Sequence, residues 1–128
     1  MTNIDQGPIG SLRIAPSILA ADFGVLAAQV QSVDDETDWL HVDVMDGHFV
    51  PNISLGPPVI KALRPYTNKF FDCHLMMSDP GRYLEAFAAS GADGVSVHIE
   101  VGGTAGLIAD AQALGLKVGL VINPETPY

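Results

Sequence analysis

In "DWLHVDVMDGHFVPN", residues 38–52, an imidazole and a carboxylate stand two positions apart, as His41 and Asp43, inside an otherwise apolar run. Period-two alternation puts Trp39, His41, Asp43 and Met45 on one side of an extended chain and Leu40, Val42 and Val44 on the other. "KFFDCHLMM" repeats the plan, with Phe70, Asp72, His74 and Met76 opposite Phe71, Cys73 and Leu75. "GVSVHIE" does so again, with Ser96, His98 and Glu100 opposite Val95, Val97 and Ile99. A lone histidine in a strand is ordinarily a satisfied core or surface group. His41 and Asp43, with His74 at the equivalent end of the next strand, read differently. Two imidazoles and a carboxylate converging there match a divalent-metal site with open positions. Met45 and Met76 flank these donors and read either as core or as an apolar wall over a substrate. Ser17 follows Pro16 and reads either as a capping hydroxyl or as a hydrogen-bonding partner for a substrate oxygen. His98 and Glu100 keep the ordinary reading, while Asp46, Gly47 and His48 read as an exposed turn.

These side chains need strands to carry them. "LRIAPSILAAD" opens with a strand whose ladder pairing Pro16 limits. Asp22 then caps a helical pattern in which Val25, Leu26, Val30 and Val33 recur at roughly helical spacing. After the second strand, "GPPVIKALRP" predicts a short helix with proline in its first turn and Pro65 at its end. "SDPGRYLEAFAASGAD" predicts a helix with a serine or aspartate cap, closed by Gly91. "GGTAGLIADAQALG" is a fourth helix entered through a plain glycine turn at Gly102 and Gly103, and "LKVGLVIN" a fifth strand.

Strands alternating with helices over short connections predict an α/β fold with parallel pairing. A doubly wound open sheet and a (β/α)₈ TIM barrel both fit that order. No G-x-G-x-x-G follows the first strand, which weakens the dinucleotide-binding open sheet. The polar face carried by three successive strands decides for the barrel. Buried under helices it would be costly, whereas in a barrel it lines the lumen and its C-terminal end forms an active site.

Composition narrows the partners. The chain has 128 residues, 48% of them hydrophobic and 16% charged, which suits a packed domain. Six basic residues against fifteen acidic ones give a net charge of −9, with no basic cluster to neutralise nucleic-acid phosphates. An anionic substrate must therefore be held locally, by backbone N–H groups or a metal. The single cysteine, Cys73, reads as a buried, inert thiol. No apolar run approaches the ~20 residues of a membrane span, and the first ten residues lack the plan of a signal peptide. A cytoplasmic protein that binds no membrane and no nucleic acid is expected.

"APSILAADF", "HVDVMDGHFVPNISLGP", "DCHLMM", "GADGVSVHIE" and "GLVINPETP" together resemble the ribulose-phosphate 3-epimerase family, from Leu12 to Tyr128. The resemblance implies a (β/α)₈ barrel that interconverts ribulose 5-phosphate and xylulose 5-phosphate, a step of the pentose phosphate pathway. It implies one divalent metal ion, zinc first, with iron, manganese or cobalt able to substitute. His41, Asp43 and His74 correspond to metal ligands, Asp43 also to a catalytic carboxylate, Ser17 and His74 to substrate-contacting positions, and Met45 and Met76 to methionines lining the site. Removing the hydrogen beside the ketone gives an enediolate, whose charge a cation stabilises while Asp43 accepts the proton. An allulose 6-phosphate 3-epimerase shares that chemistry. The related decarboxylases and aldolases carry a lysine soon after this aspartate, and "HVDVMDGHF" has none. Met77 stands where the family more often has a branched aliphatic residue.

A complete barrel takes ~250 residues. The chain is accordingly expected to supply the N-terminal part of a single barrel domain, about five strands and four helices, with a flexible stretch over residues 1–11. The family's second catalytic aspartate and late phosphate-gripping loops have no counterpart before Tyr128. The polypeptide alone is therefore expected to be a catalytically incomplete, metal-binding half-barrel. It should expose Trp39 and Phe70 and associate with itself as a homo-oligomer.

Overall fold

The computed structural model describes residues 12–127. The stretch expected to be flexible, residues 1–11, lies outside the described residues. Four parallel strands, β1 (Trp39–Met45), β2 (Phe70–Met76), β3 (Gly94–His98) and β4 (Lys117–Val121), form one sheet in sequential order. Helices α1 (Leu26–Ser32), α2 (Pro57–Leu63), α3 (Leu84–Ser90) and α4 (Thr104–Ala113) alternate with them. This is α/β architecture in the sequential parallel order of a partial (β/α)₈ barrel.

The alternation written into the strands sets the layers. Leu40, Val42, Val44, Phe71, Cys73, Leu75, Val95 and Val97 are all buried on one face of the sheet. They join Leu26, Val30, Ile60, Leu63, Leu84, Phe87 and Ala111 from the helices in one core. Each large side chain buried there stabilises the fold by roughly 1.5–3 kcal/mol. Met77 belongs to this core as well. Cys73 is fully buried, and burial pushes its thiol far above the ordinary range, so it is inert at neutral pH.

Several local expectations are corrected. The first strand is not a regular strand but an extended segment beside β1, joined by a parallel bridge between Ser17 and His41. The Ile14 carbonyl accepts from the amides of Asp38 and Trp39, and the Pro16 carbonyl from that of His41. Proline has no N–H, and the Ile14 amide donates instead to the Asp38 carboxylate at 2.7 Å, so no ladder develops. Asp22 does cap, accepting from the Gly24 amide at 2.9 Å, but it caps a 3₁₀ turn ahead of α1. In that segment only Leu26 and Val30 enter the core, and Val25 and Val33 face solvent. α2 begins on Pro57 and Pro58 and ends at Leu63, with Pro65 inside the 3₁₀ turn that follows. Asp79 precedes the 3₁₀ turn leading into α3 without a side-chain capping bond. Gly91 closes α3 in a left-handed conformation (φ 103°).

Phe70, expected to be exposed, is buried: its ring lies 4.7 Å from Trp39 between centroids and crosses Gly94. A Cβ at Gly94 would stand 2.8 Å from the Phe70 ring, so the glycine is what lets the ring lie there. Glu100 does not continue the polar face. After His98 the chain enters a 3₁₀ turn, Ile99–Val101, and its alternation ends. Gly102 and Gly103 then lead into α4 with φ of 76° and 61°, the glycine turn read from the sequence. Among the described residues, no helix is long and apolar enough to cross a membrane.

Candidate active site

β1 and β2 pair so that His41 faces Asp72, Asp43 faces His74 and Met45 faces Met76. Parallel strands in this register place like faces side by side, so the polar residues of both strands form rows on the face away from the helices. Asp43 is the hub of those rows. Its Oδ1 lies 3.1 Å from His41 Nε2 and 3.2 Å from His74 Nδ1. Its Oδ2 accepts the Ser17 hydroxyl, which the bridge to β1 brings to the site. Ser17 Oγ also accepts from the Leu19 amide at 3.2 Å, so the hydroxyl caps a turn and reaches the site together.

Donor atoms of His41, Asp43 and His74 all lie within 4.8 Å of one another. Ligand atoms ~2.0–2.2 Å from a tetrahedral ion stand about 3.3–3.6 Å apart. The two measured separations around Asp43 Oδ1 are slightly shorter than that edge. Two imidazole nitrogens and a carboxylate oxygen, all half-buried, are also a donor set that suits zinc and its neighbours. The residues present therefore fit a divalent cation.

Electrostatics differ between the two imidazoles. The hydrogen bond to Asp72, which accepts from the ring, raises the His41 pKa above the ordinary histidine value, with Asp43 adding to it. Burial lowers that of His74, opposed by its hydrogen bond to Asp43. For His74 the direction favours the neutral form, which offers a lone pair.

Met45 and Met76 are half-buried neighbours on the same face, one step beyond Asp43 and His74 toward the C-terminal strand ends. Asp46 holds the turn expected there, accepting from the amides of His48 and Phe49, and His48 is exposed. Two residues carry more than their sequence reading. Asp72 Oδ2 stands 2.9 Å from His41 Nδ1, and His98 Nε2 stands 2.8 Å from His74 Nε2. Both sat on the polar face of the alternation. Their partners depend on strand register, which spacing within one strand does not reveal. Glu100 leaves the row and accepts instead from the Asn123 amide and, at 2.7 Å, from the Thr126 hydroxyl.

The chain matches the family model described as "Ribulose-phosphate 3 epimerase family" over residues 13–128. It is 49% identical over 121 residues to a ribulose-phosphate 3-epimerase of Synechocystis sp., covering 91% of this chain and 53% of that protein. A cytoplasmic isoform of the enzyme from Oryza sativa subsp. japonica is 47% identical over 118 residues, 90% of this chain and 52% of that protein. A chloroplastic ribulose-5-phosphate-3-epimerase of Arabidopsis thaliana is 45% identical over 130 aligned positions, 98% of this chain and 46% of that protein. The chain spans about half the length of the curated relatives it matches. With the family model covering nearly all of it and the rows of His, Asp and Met in place, the chain belongs to the ribulose-phosphate 3-epimerase family.

Proposed function

We propose that this chain carries the metal-binding and proton-abstracting side of an epimerase site for D-ribulose 5-phosphate and D-xylulose 5-phosphate. The observation that supports it is the placement of Asp43, with one oxygen between two imidazoles and the other on the Ser17 hydroxyl. His41, Asp43 and His74 would hold a divalent ion, which would supply Lewis-acid stabilisation of the charge that develops when the hydrogen on the third carbon leaves. Asp43 takes that proton, Ser17 and His74 meet substrate oxygens, and Met45 with Met76 forms an apolar wall over the sugar. Inversion needs a second acid on the opposite side of the carbon. Asp72, the other carboxylate of these rows, is one layer deeper and engaged by His41 and Ser96.

That engagement favours a second reading, a metal-binding half-site. Solvent deuterium separates the two. The zinc-loaded chain is incubated with ribulose 5-phosphate in heavy water, and the third carbon is followed by NMR. Exchange with formation of xylulose 5-phosphate supports a complete epimerase. Exchange without inversion supports a half-site in which Asp43 works alone. No exchange by a zinc-loaded chain refutes the role of Asp43 and leaves metal binding only. The printed name of the Oryza sativa relative, a cytoplasmic isoform, supports a cytoplasmic setting, and the relatives' names support a sugar-phosphate partner.

A further inference from the structure

Each of the two imidazoles proposed as ligands is held from behind by a different group. His41 meets Asp72 through Nδ1 at 2.9 Å and turns Nε2 toward Asp43. His74 is reversed: Nδ1 faces Asp43, and Nε2 meets His98 Nε2 at 2.8 Å. Two imidazole nitrogens at that distance share one proton, since two N–H groups repel and two lone pairs make no bond.

Which ring owns the proton is decided on the far side of His98. That ring is buried, stacked on His74 at 5.0 Å and packed against Phe49 at 4.8 Å between centroids. Its Nδ1 has no hydrogen-bond partner, and Glu100 Oε2 lies 3.3 Å from it. A lone pair at Nδ1 would face a carboxylate, which repels it, whereas an N–H there is attracted. With its hydrogen on Nδ1, His98 has its lone pair on Nε2 and accepts from His74.

We propose that Asp72 and His98 are positioning residues that hold the two ligand histidines in opposite tautomers. Asp72 fixes the His41 hydrogen on Nδ1, so that Nε2 offers its lone pair. His98 fixes the His74 hydrogen on Nε2, so that Nδ1 offers its own. Both lone pairs then point to the side of Asp43 Oδ1, where a cation fits. Glu100, tied to Asn123 and Thr126, anchors the far end of the His98 arm. The inference rests on the metal-binding reading above and adds to it the groups that set ligand orientation.

The test uses the whole chain and zinc alone. Long-range proton–nitrogen NMR of the zinc-loaded wild type should show hydrogens on His41 Nδ1, His74 Nε2 and His98 Nδ1. A His74 hydrogen on Nδ1, or a His98 hydrogen on Nε2, would overturn the assignment. Zinc affinity by competition gives a second reading. His98→Leu and Asp72→Leu should each weaken it 10–100-fold, as loss of an outer hydrogen-bond partner does. His98→Gln and Asp72→Asn, whose side-chain carbonyls still accept, should recover most of the loss. Unchanged affinity in folded Leu variants, with wild type binding zinc, refutes positioning alone. A wild type that binds no zinc refutes the metal reading and the positioning role together.

Discussion

Asp43 and His74 are register partners across β1 and β2, and Oδ1 of the one lies 3.2 Å from Nδ1 of the other. On the proposed reading, the carboxylate serves as a ligand and as the base. Asp43→Asn keeps an oxygen donor of similar shape and removes the negative charge and the basicity. Deuterium exchange at the third carbon should fall by ~10²–10⁴-fold, the usual contribution of a positioned base. Exchange by the variant at the wild-type rate would show that another group takes the proton.

Removing either imidazole should act on binding first. His41→Ala and His74→Ala should lose more zinc affinity than the ~10–100-fold typical of outer hydrogen-bond partners, because a coordinate bond itself is lost. The wild type should hold about one ion per chain by elemental analysis. Prolonged chelation should strip the ion and abolish exchange. Equal metal content in wild type and both variants would move the site elsewhere.

The rows of polar side chains were legible because strand side chains repeat every two residues. Alternation assigned His41, Asp43, Met45, Asp72, His74 and Met76 to one face correctly. It failed where the backbone leaves the strand: Glu100 lies in a 3₁₀ turn, and no pattern of polarity marks that change. The segment before Ser17 looked like a strand by composition, but a missing proline N–H and the Asp38 carboxylate removed its ladder. The pairings of His41 with Asp72 and of His74 with His98 are tertiary facts set by register.

The Glu100 contact gives a pH prediction. Accepting from the Asn123 amide pulls its pKa down to about 2 from an ordinary 4.5. A carboxylate whose folded pKa is depressed stabilises the structure above its unfolded value, and that contribution is lost as pH falls toward the folded one. The tether of Asn123 and Thr126 should therefore hold at pH 5 and release progressively between about 4.5 and about 2. Carboxyl-carbon NMR of Glu100, followed with the Asn123 amide, should give one shared acidic midpoint. A Glu100 midpoint near 4.5 would mean that the tether does not form in solution.

At the other end of the strands, Arg64 ties the segments before β2 and β3 together. Its guanidinium donates to the carbonyls of Gly91, Thr67 and Lys69 and to the Asp93 carboxylate, and it lies 3.8 Å over the Phe71 ring. The fork cannot be reproduced by an ammonium group, so Arg64→Lys should cost about 1–3 kcal/mol and Arg64→Ala somewhat more. Urea unfolding at constant m-value measures this. Zinc affinity of the folded variants should stay unchanged, because the cluster is remote from Asp43.

The last prediction concerns the edges of the sheet. Among the described residues β4 pairs only with β3, leaving its outer backbone groups available to another chain. Leu120 on that strand is 54% exposed and Ile122 beyond it 38%, so the edge is apolar as well as open. The net charge of −9 opposes association between copies. That repulsion is long-ranged only in dilute salt, since the screening length shrinks to about 8 Å at physiological ionic strength. The 128-residue chain should thus sediment above its monomer mass of 13.5 kDa, and more so as salt is raised. Leu120→Lys places a charge on the open strand and should shift the equilibrium toward monomer without changing zinc affinity. A wild type that stays monomeric at every salt concentration would show that this edge is protected in solution.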